Sequence, residues 1–142
     1  MKILKFAGAA IAGTLVVVLG IALVSRKEYR VEREIVIQKP VAQVFEYVRF
    51  LKNQDNYSVW ARMDPAMKKD FRGTDGTVGA VQSWDSQNPD VGRGEQEIKA
   101  IETNKRIDFE LRFFEPFEAQ DHPYMTFEPP DPQSTRLKWG FY

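Results

Sequence analysis

Few side chains in this sequence have the type and spacing of a catalytic or metal-binding group. The chain has no cysteine and one histidine, which excludes thiol catalysis, disulfides and cysteine-ligated zinc and leaves a metal site to carboxylates alone. The histidine, His122, follows Asp121, which could orient it as a general base. Its run, "EAQDHPYM", is typical of a solvated loop. We therefore predict no catalytic residue, no metal and no cofactor.

The stretch "DGTVGAVQSWDSQNPDVGRGEQEI", residues 75 to 98, is rich in glycine and could be taken for a phosphate-binding loop. Such a loop needs a strand before it and a helix after it, with Lys followed by Ser or Thr in the P-loop case. Here "GRGEQEI" leads into a strand instead. We interpret Gly92 and Gly94 as hairpin and bulge positions, where a positive φ or a tight bend is needed.

Two glutamates, Glu95 and Glu97, lie two residues apart and could form a catalytic carboxylate pair. Side chains at this spacing share one face of a strand. We expect that face to be the charged, solvent-facing side of a sheet. Ordinary surface is therefore the better interpretation of both carboxylates.

The N-terminal segment differs in charge from the rest of the chain. The sequence has 20 basic and 20 acidic residues, so nothing in its total charge points to nucleic-acid binding. Residues 1–30 are basic overall, and the uncharged run from Phe6 to Val24 would span about 28 Å as a helix, enough to cross a bilayer core. We predict a membrane anchor in residues 1–28, with a transmembrane helix at 6–24. A cleaved signal is the alternative, although its apolar region is usually shorter.

The basic residues on the two sides of this run give conflicting signals about orientation. Lys2 and Lys5 favour a cytoplasmic N-terminus, whereas Arg26, Lys27 and Arg30 pull the other end towards the cytoplasm. A basic head followed by an apolar run is the usual signal-anchor layout. We therefore expect a single-pass membrane protein whose domain lies outside the cytoplasm.

Residues 29–142 are enough for one domain. "YRVEREIVI" (29–37) predicts a strand whose second half is covered. "KPVAQVFEYVRFLKN" (39–53) predicts an amphipathic helix whose buried stripe consists of Val44, Tyr47, Val48 and Leu51. After a short helical turn or loop, six strands are predicted at 67–73, 79–87, 93–102, 106–114, 119–128 and 134–142. The expected fold class is α+β, with an antiparallel meander of about seven strands.

The pairing register of the hairpin can be predicted from its sequence, "GEQEIKAIETNKRIDFELRFF". With a four-residue turn at Glu102–Lys105, apolar and charged side chains sort to opposite faces, and a slip by one residue would destroy the sorting. The predicted inward pairs are Ala100–Ile107, Ile98–Phe109 and Gln96–Leu111, and the outward pairs are Lys99–Asp108, Glu97–Glu110 and Glu95–Arg112.

Aromatic residues are more frequent than a core of this size requires, and a curved sheet lined by rings can hold an apolar ligand. A core of large side chains is the simpler alternative. The rings are Trp60, Trp84, Phe109, Phe113, Phe117, Tyr124, Phe127, Trp139 and Phe141. No basic stripe interleaves with them, so binding of single-stranded nucleic acid is not expected.

These pieces, in this order, resemble the SRPBCC superfamily, which is the START, polyketide-cyclase and lipid-transport group with the helix-grip fold. The matching stretches span residues 29–142 and are similar to a bacterial, polyketide-cyclase-like branch that includes members with an N-terminal membrane segment. They are "VEREIVIQKPVAQVFEYVRFLKNQDNYSVWARMDP", "GTVGAVQSW", "VGRGEQEI", "NKRIDFELRFFEPFEA" and "TRLKWGFY".

The resemblance implies a sheet that wraps a long C-terminal helix, with an apolar cavity between them for lipids, sterols, polyketides or similar molecules. The implied cavity wall is Trp84, Gln96, Ile98, Ala100, Ile107, Phe109, Leu111, Phe113, Phe127, Leu137, Trp139 and Phe141. The sequence departs from the pattern after "TRLKWGFY", where the family continues into the helix. We expect a domain truncated at this point, with an inner sheet face that lacks its main cover.

Three functions follow as hypotheses. The first is membrane-tethered binding of a hydrophobic small molecule or lipid. The second is a polyketide cyclase or dehydratase, for which Trp84, Asp85 and Gln96 are candidate polar wall groups. The third is a protein-interaction or stress-response module with a vestigial cavity.

Overall fold

Residues 31–141 of the computed structural model are described here, and they form one antiparallel sheet of eight strands with short helices near its start. The predicted α+β class is confirmed. In chain order the elements are β1 (Val31–Ile37), α1 (Val41–Val48), a 3-10 helix (Leu51–Asn56), α2 (Val59–Met63), β2 (Lys68–Arg72), β3 (Val81–Asp85), β4 (Arg93–Glu102), β5 (Arg106–Glu115), β6 (Ala119–Asp121), β7 (Tyr124–Asp131) and β8 (Ser134–Phe141).

The strand order across the sheet is β1-β8-β7-β5-β4-β3-β2, and β6 also pairs with β5. The predicted meander is therefore present, and the first strand joins it at the outer edge of the last. The strand predicted at 119–128 is two strands, because the chain leaves the sheet at His122 and Pro123, and proline has no backbone N–H for the ladder. Both pieces lie along β5, at Leu111–Phe113 and at Arg106–Asp108.

Most of the predicted register of the β4–β5 hairpin is confirmed. The pairs Ile98–Phe109, Gln96–Leu111, Glu97–Glu110 and Glu95–Arg112 are present as predicted. The prediction is wrong near the turn. The loop has three residues, with Asn104 at a φ of 62°, and Glu102 pairs with Arg106.

The shorter loop shifts the register by one residue, and a bulge between Ile98 and Ala100 accommodates the shift. Ala100 therefore pairs with Asp108 and is exposed on the opposite face, and Ile101 takes its predicted place beside Ile107. The predicted Lys99–Asp108 pair is absent from the described ladder for the same reason.

Helix α1 supplies the layer that covers the sheet. Val44, Phe45 and Val48 are buried against it, and the Phe45 ring meets the Phe127 ring edge-on at 5.3 Å. Each such buried side chain contributes about 1.5–3 kcal/mol of hydrophobic stabilisation. The predicted stripe was wrong at Tyr47, which is 46% exposed, because the buried stripe runs through position 45 instead.

The helix predicted at 39–53 ends at Val48, and the chain continues as the 3-10 helix. The carboxylate of Asp75 accepts hydrogen bonds from the backbone N–H groups of Leu51 and Lys52, at 2.7 and 3.3 Å. These bonds satisfy donors that a helix start leaves without partners. Asp75 thereby fixes the 3-10 helix close to the loop before β3.

Strand β1 is less covered than predicted. Ile37 packs against the core, but Ile35 and Val36 are 59% and 47% exposed. Val36 pairs with Arg136 and points away from α1, whereas Ile35 shares a face with Ile37 but stays uncovered at the sheet edge. The prediction that the second half of β1 is covered was wrong. An apolar sequence shows that its side chains favour burial, but it does not show where the covering element lies.

The predicted transmembrane helix at 6–24 lies outside the described residues. Between residues 31 and 141, no helix has the length and apolar character needed to cross a membrane.

Candidate ligand-binding face

We call the side of the sheet on which α1 packs the inner face. Directly paired residues share a face, so the pairing places each predicted wall residue. All of them except Ala100 lie on the inner face. The face of Trp84, which the sequence left open, follows from its pairing with Gly94 and its ring contact with Phe113 at 6.0 Å.

The predicted wall divides into two regions. The covered part consists of Ile98, Ile107, Phe109 and Phe127, all buried in the hydrophobic core. The open end consists of Trp84, Gln96, Leu111, Phe113, Trp139 and Phe141, all partly exposed. Leu137 lies between the two, and both Leu137 and Trp139 pack against the core while staying partly exposed. The open end and Leu137 are the parts of the predicted wall whose side chains are partly exposed in this structure.

The open end is organised by aromatic contacts. Trp84 and Phe113 form one edge-on pair, and Trp139 and Phe141 form another at 5.4 Å. The indole nitrogen of Trp84 donates a hydrogen bond to the carbonyl oxygen of Val91 at 3.4 Å. Such pairs fix ring orientation as well as burying area.

Gly92 and Gly94 have the structural roles predicted for them. Gly92 has a φ of 65°, and the ladder shifts register between Arg93 and Gly94. A Cβ atom at Gly94 would lie 2.6 Å from both the Trp84 ring and the carbonyl oxygen of Arg112. The absence of a side chain at Gly94 therefore allows Trp84 to lie flat on the sheet.

Polar side chains also lie on the inner face. Gln96 is partly exposed, and Gln82, directly opposite on β3, is only 7% exposed. Gln82 was not among the predicted wall residues, although its two-residue spacing from Trp84 was a usable signal. Asp85, the third candidate for a polar wall group, is exposed and pairs with Arg93, so alternation places it on the opposite face.

The outer face carries the charged residues that the sequence placed there. Arg112 binds the carboxylates of Glu95 at 2.7 Å and Glu97 at 2.9 Å, and it also contacts Glu110. Arg72 binds Glu95 from the other side at 2.5 Å. Glu95 and Glu97 are therefore members of an ion-pair network and not an isolated carboxylate pair.

The network holds both glutamates ionised. Burial opposes the charged form of Glu95, but hydrogen bonds from Arg112 and Arg72 outweigh it and lower the pKa of the carboxyl. Hydrogen bonds from Arg112 and Lys99 lower the pKa of Glu97. A carboxyl with a lowered pKa is a poor proton donor near neutral pH, which argues against general-acid chemistry at this pair.

His122 is exposed between β6 and β7, as predicted for a loop histidine. Within residues 31–141, no three His, Cys, Asp or Glu side chains come together as they would around a metal ion. An open depression of about 530 Å³ lies on the solvent side of α1, lined by Ala42, Gln43, Glu46, Tyr47, Phe50 and Asn53. It shares no residue with the inner face.

No protein-family model matches the chain, and no curated protein matches its sequence. Solved structures do match. The Mll3558 protein from Rhizobium loti has a TM-score of 0.58 at 18% identity, over 80% of each chain. Protein MLL2253 from Mesorhizobium loti has a TM-score of 0.57 at 20% identity, over 80% of this chain and 76% of that one.

A third similar structure is the Aha1 dimer from Colwellia psychrerythraea, with a TM-score of 0.56 at 10% identity, over 81% of this chain and 76% of that one. At such identities the likeness concerns the fold. It supports the sheet architecture expected from the resemblance. The chain therefore shares the fold of these solved structures.

Proposed function

We propose that this protein is a membrane-tethered binder of a hydrophobic small molecule or lipid, which lies on the open end of the inner face. The observation that carries the proposal is the partial exposure of Leu111, Phe113 and Trp139 on the same face as a fully buried core. Exposed apolar surface of this kind is typical of ligand grooves and interaction sites. The ring-lined surface suits an apolar molecule.

The proposed tether enters the domain at the same end of the sheet. Val31, the first residue of β1, pairs with Phe141 of the open end. Residues 25–30 join it to the predicted membrane helix and span at most about 20 Å when fully extended. The open end would therefore stay close to the bilayer surface, outside the cytoplasm in the orientation that we propose.

Closure of the site needs a further layer. Among residues 31–141 the longest helix is α1, with eight residues, and its buried side chains contact the covered part. We propose that a helical segment outside this range, as in the family that the sequence resembles, covers the open end and encloses the ligand.

Two other functions remain alternatives. A polyketide cyclase or dehydratase would use the polar groups Gln82 and Gln96, which the inner face brings together. A protein-interaction module would use apolar surface elsewhere, and α2 exposes Val59 and Trp60 at 58% each.

The proposal is tested on the full chain, purified from membranes into lipid nanodiscs and analysed by native mass spectrometry for a retained apolar molecule. We expect retention by the unmodified chain and loss in Leu111→Glu, which puts a charge on the open end. The matched control is Phe114→Glu, on the same strand but the opposite face, which should retain the molecule. A site that stays empty in the presence of membrane extract would refute ligand binding.

A further inference from the structure

Two glutamines face each other in the middle of the inner face. Gln82 on β3 pairs directly with Gln96 on β4, which places their Cβ atoms about 5 Å apart on the same side of the sheet. The same row continues to Phe71 on one side and Leu111 on the other. The two side-chain amides therefore interrupt an otherwise apolar part of the row.

Neither amide is used in holding the domain together. Gln82 is 93% buried, yet no side-chain hydrogen bond joins Gln82 or Gln96 to another residue within 31–141. Gln54 has a buried side-chain nitrogen without a partner in the same part of the chain, and its 3-10 helix contacts β3. The amide atoms of Gln82 and Gln96 are not among the fully buried polar atoms of this part of the chain, so they remain accessible from the inner face.

The charges around the glutamine pair are balanced. Lys69, beside Trp84, binds the carboxylate of Asp55 at 2.6 Å. Lys52 places its ammonium 5.0 Å from the Phe71 ring centroid, and Asp121 lies opposite Leu111, about 10 Å from Gln96 by two strand spacings. The site therefore offers hydrogen-bond donors and acceptors without a net charge to attract an ion.

We infer that Gln82 and Gln96 bind the uncharged polar group, a hydroxyl or carbonyl, of an amphipathic ligand whose apolar part lies over Leu111, Phe113 and Trp84. This inference rests on the proposed function and adds the chemistry of the ligand. Each amide offers a carbonyl oxygen that accepts and an NH₂ group that donates, so a hydroxyl can be held from both sides.

The experiment compares four ten-carbon probes with the full chain in nanodiscs: decan-1-ol, 1-chlorodecane, decanoate and decylammonium. Affinities are measured by titration calorimetry and corrected with empty nanodiscs of the same lipid. We expect decan-1-ol to bind at least about fivefold more tightly than 1-chlorodecane, as the gain of one net hydrogen bond implies. It should also bind more tightly than either ion.

The variants Gln82→Leu and Gln96→Leu should lose this preference and keep their affinity for 1-chlorodecane. The matched control is Gln120→Leu, an exposed position on β6 that pairs with Arg112 of the outer face. It should keep the preference. Thermal unfolding checks that each variant is folded, and neither leucine breaks a side-chain hydrogen bond within residues 31–141.

An unchanged alcohol preference in both glutamine variants would overturn the inference and leave ligand binding in place. Tighter binding of decanoate or decylammonium than of decan-1-ol would overturn the assignment to a neutral group. If none of the four probes binds, the proposed function fails and the glutamine site fails with it.

Discussion

The covered part and the open end of the inner face are built from the same strands and the same kinds of side chain. Phe109 and Leu111 are neighbours on one face of β5, yet Phe109 is 2% exposed and Leu111 is partly open. The difference comes from α1, whose three buried side chains belong to the same core as Phe109. Alternation decides which face a side chain occupies, and the position of the cover decides whether that face becomes core.

The largest expected effect tests this difference directly. Phe109→Ala should lower the free energy of unfolding by about 3–5 kcal/mol, because it opens a cavity in the covered part. Leu111→Ala should cost less than about 1.5 kcal/mol, because the side chain is only partly buried. Urea unfolding of the full chain, followed by tryptophan fluorescence, measures both.

Equal losses of unfolding free energy at the two positions would show that the open end is packed like a core. The proposed difference between the two regions would then be wrong. Should Phe109→Ala fail to fold, Ile107→Val offers a milder probe of the covered part, with an expected loss of about 0.5–1.5 kcal/mol.

The second prediction concerns association through the open end. Residues 29–142, produced without the predicted anchor, should self-associate and dissolve poorly, because exposed apolar surface is removed from water when two copies meet. Analytical ultracentrifugation measures the oligomeric state. Leu111→Glu with Phe113→Glu should shift the protein towards monomer, whereas Phe114→Glu on the opposite face should not. A monomeric, cooperatively melting parent protein would contradict the prediction.

The smallest expected effect is a pH-dependent change in stability that arises on the outer face. It is a reference for the two predictions about the inner face. The pKa values of Glu95 and Glu97 are lowered in the folded protein, so their contribution is present above the unfolded value of about 4.3 and is lost as pH falls through the folded values. Between about pH 5 and pH 3, the unmodified chain should therefore lose more stability than Arg112→Leu.

The difference between these two pH profiles should be about 1 kcal/mol or less, the range for partly exposed ion pairs. The gap between Phe109→Ala and Leu111→Ala should not change with pH, since both side chains lie on the face of the sheet opposite to this network. If this gap in unfolding free energy varied with pH as strongly as the effect of Arg112→Leu does, the two faces of the sheet would be energetically coupled.

The strand positions and most of the sheet register followed from the sequence, because alternation in "GEQEIKAIETNKRIDFELRFF" sorts side chains only in one way. The error at Ala100 arose from loop length: three or four residues fit the same turn sequence, and the choice moves the register by one. Asn104 was the available signal, since asparagine tolerates the positive φ that a three-residue loop requires.

The candidate site was harder to predict than the fold. The sequence identified inward-facing residues but could not divide them into core and open surface, because that depends on where α1 ends and which strands it contacts. Ile35 and Tyr47 were assigned to buried positions for the same reason. Gln82 was missed because one polar residue in the sequence of β3 carries no signal by itself. The signal is its pairing with Gln96, which exists only in the folded sheet.

The pairing of β1 with β8 has a consequence for the order of events during synthesis. Val31 and Phe141 are neighbours in the sheet but are separated by nearly the whole domain in the chain. The first strand therefore has no partner until the last strand has left the ribosome, and contacts of such long range form slowly. During that interval the segment before Val31 has already been synthesised, so insertion of the proposed anchor would precede completion of the sheet.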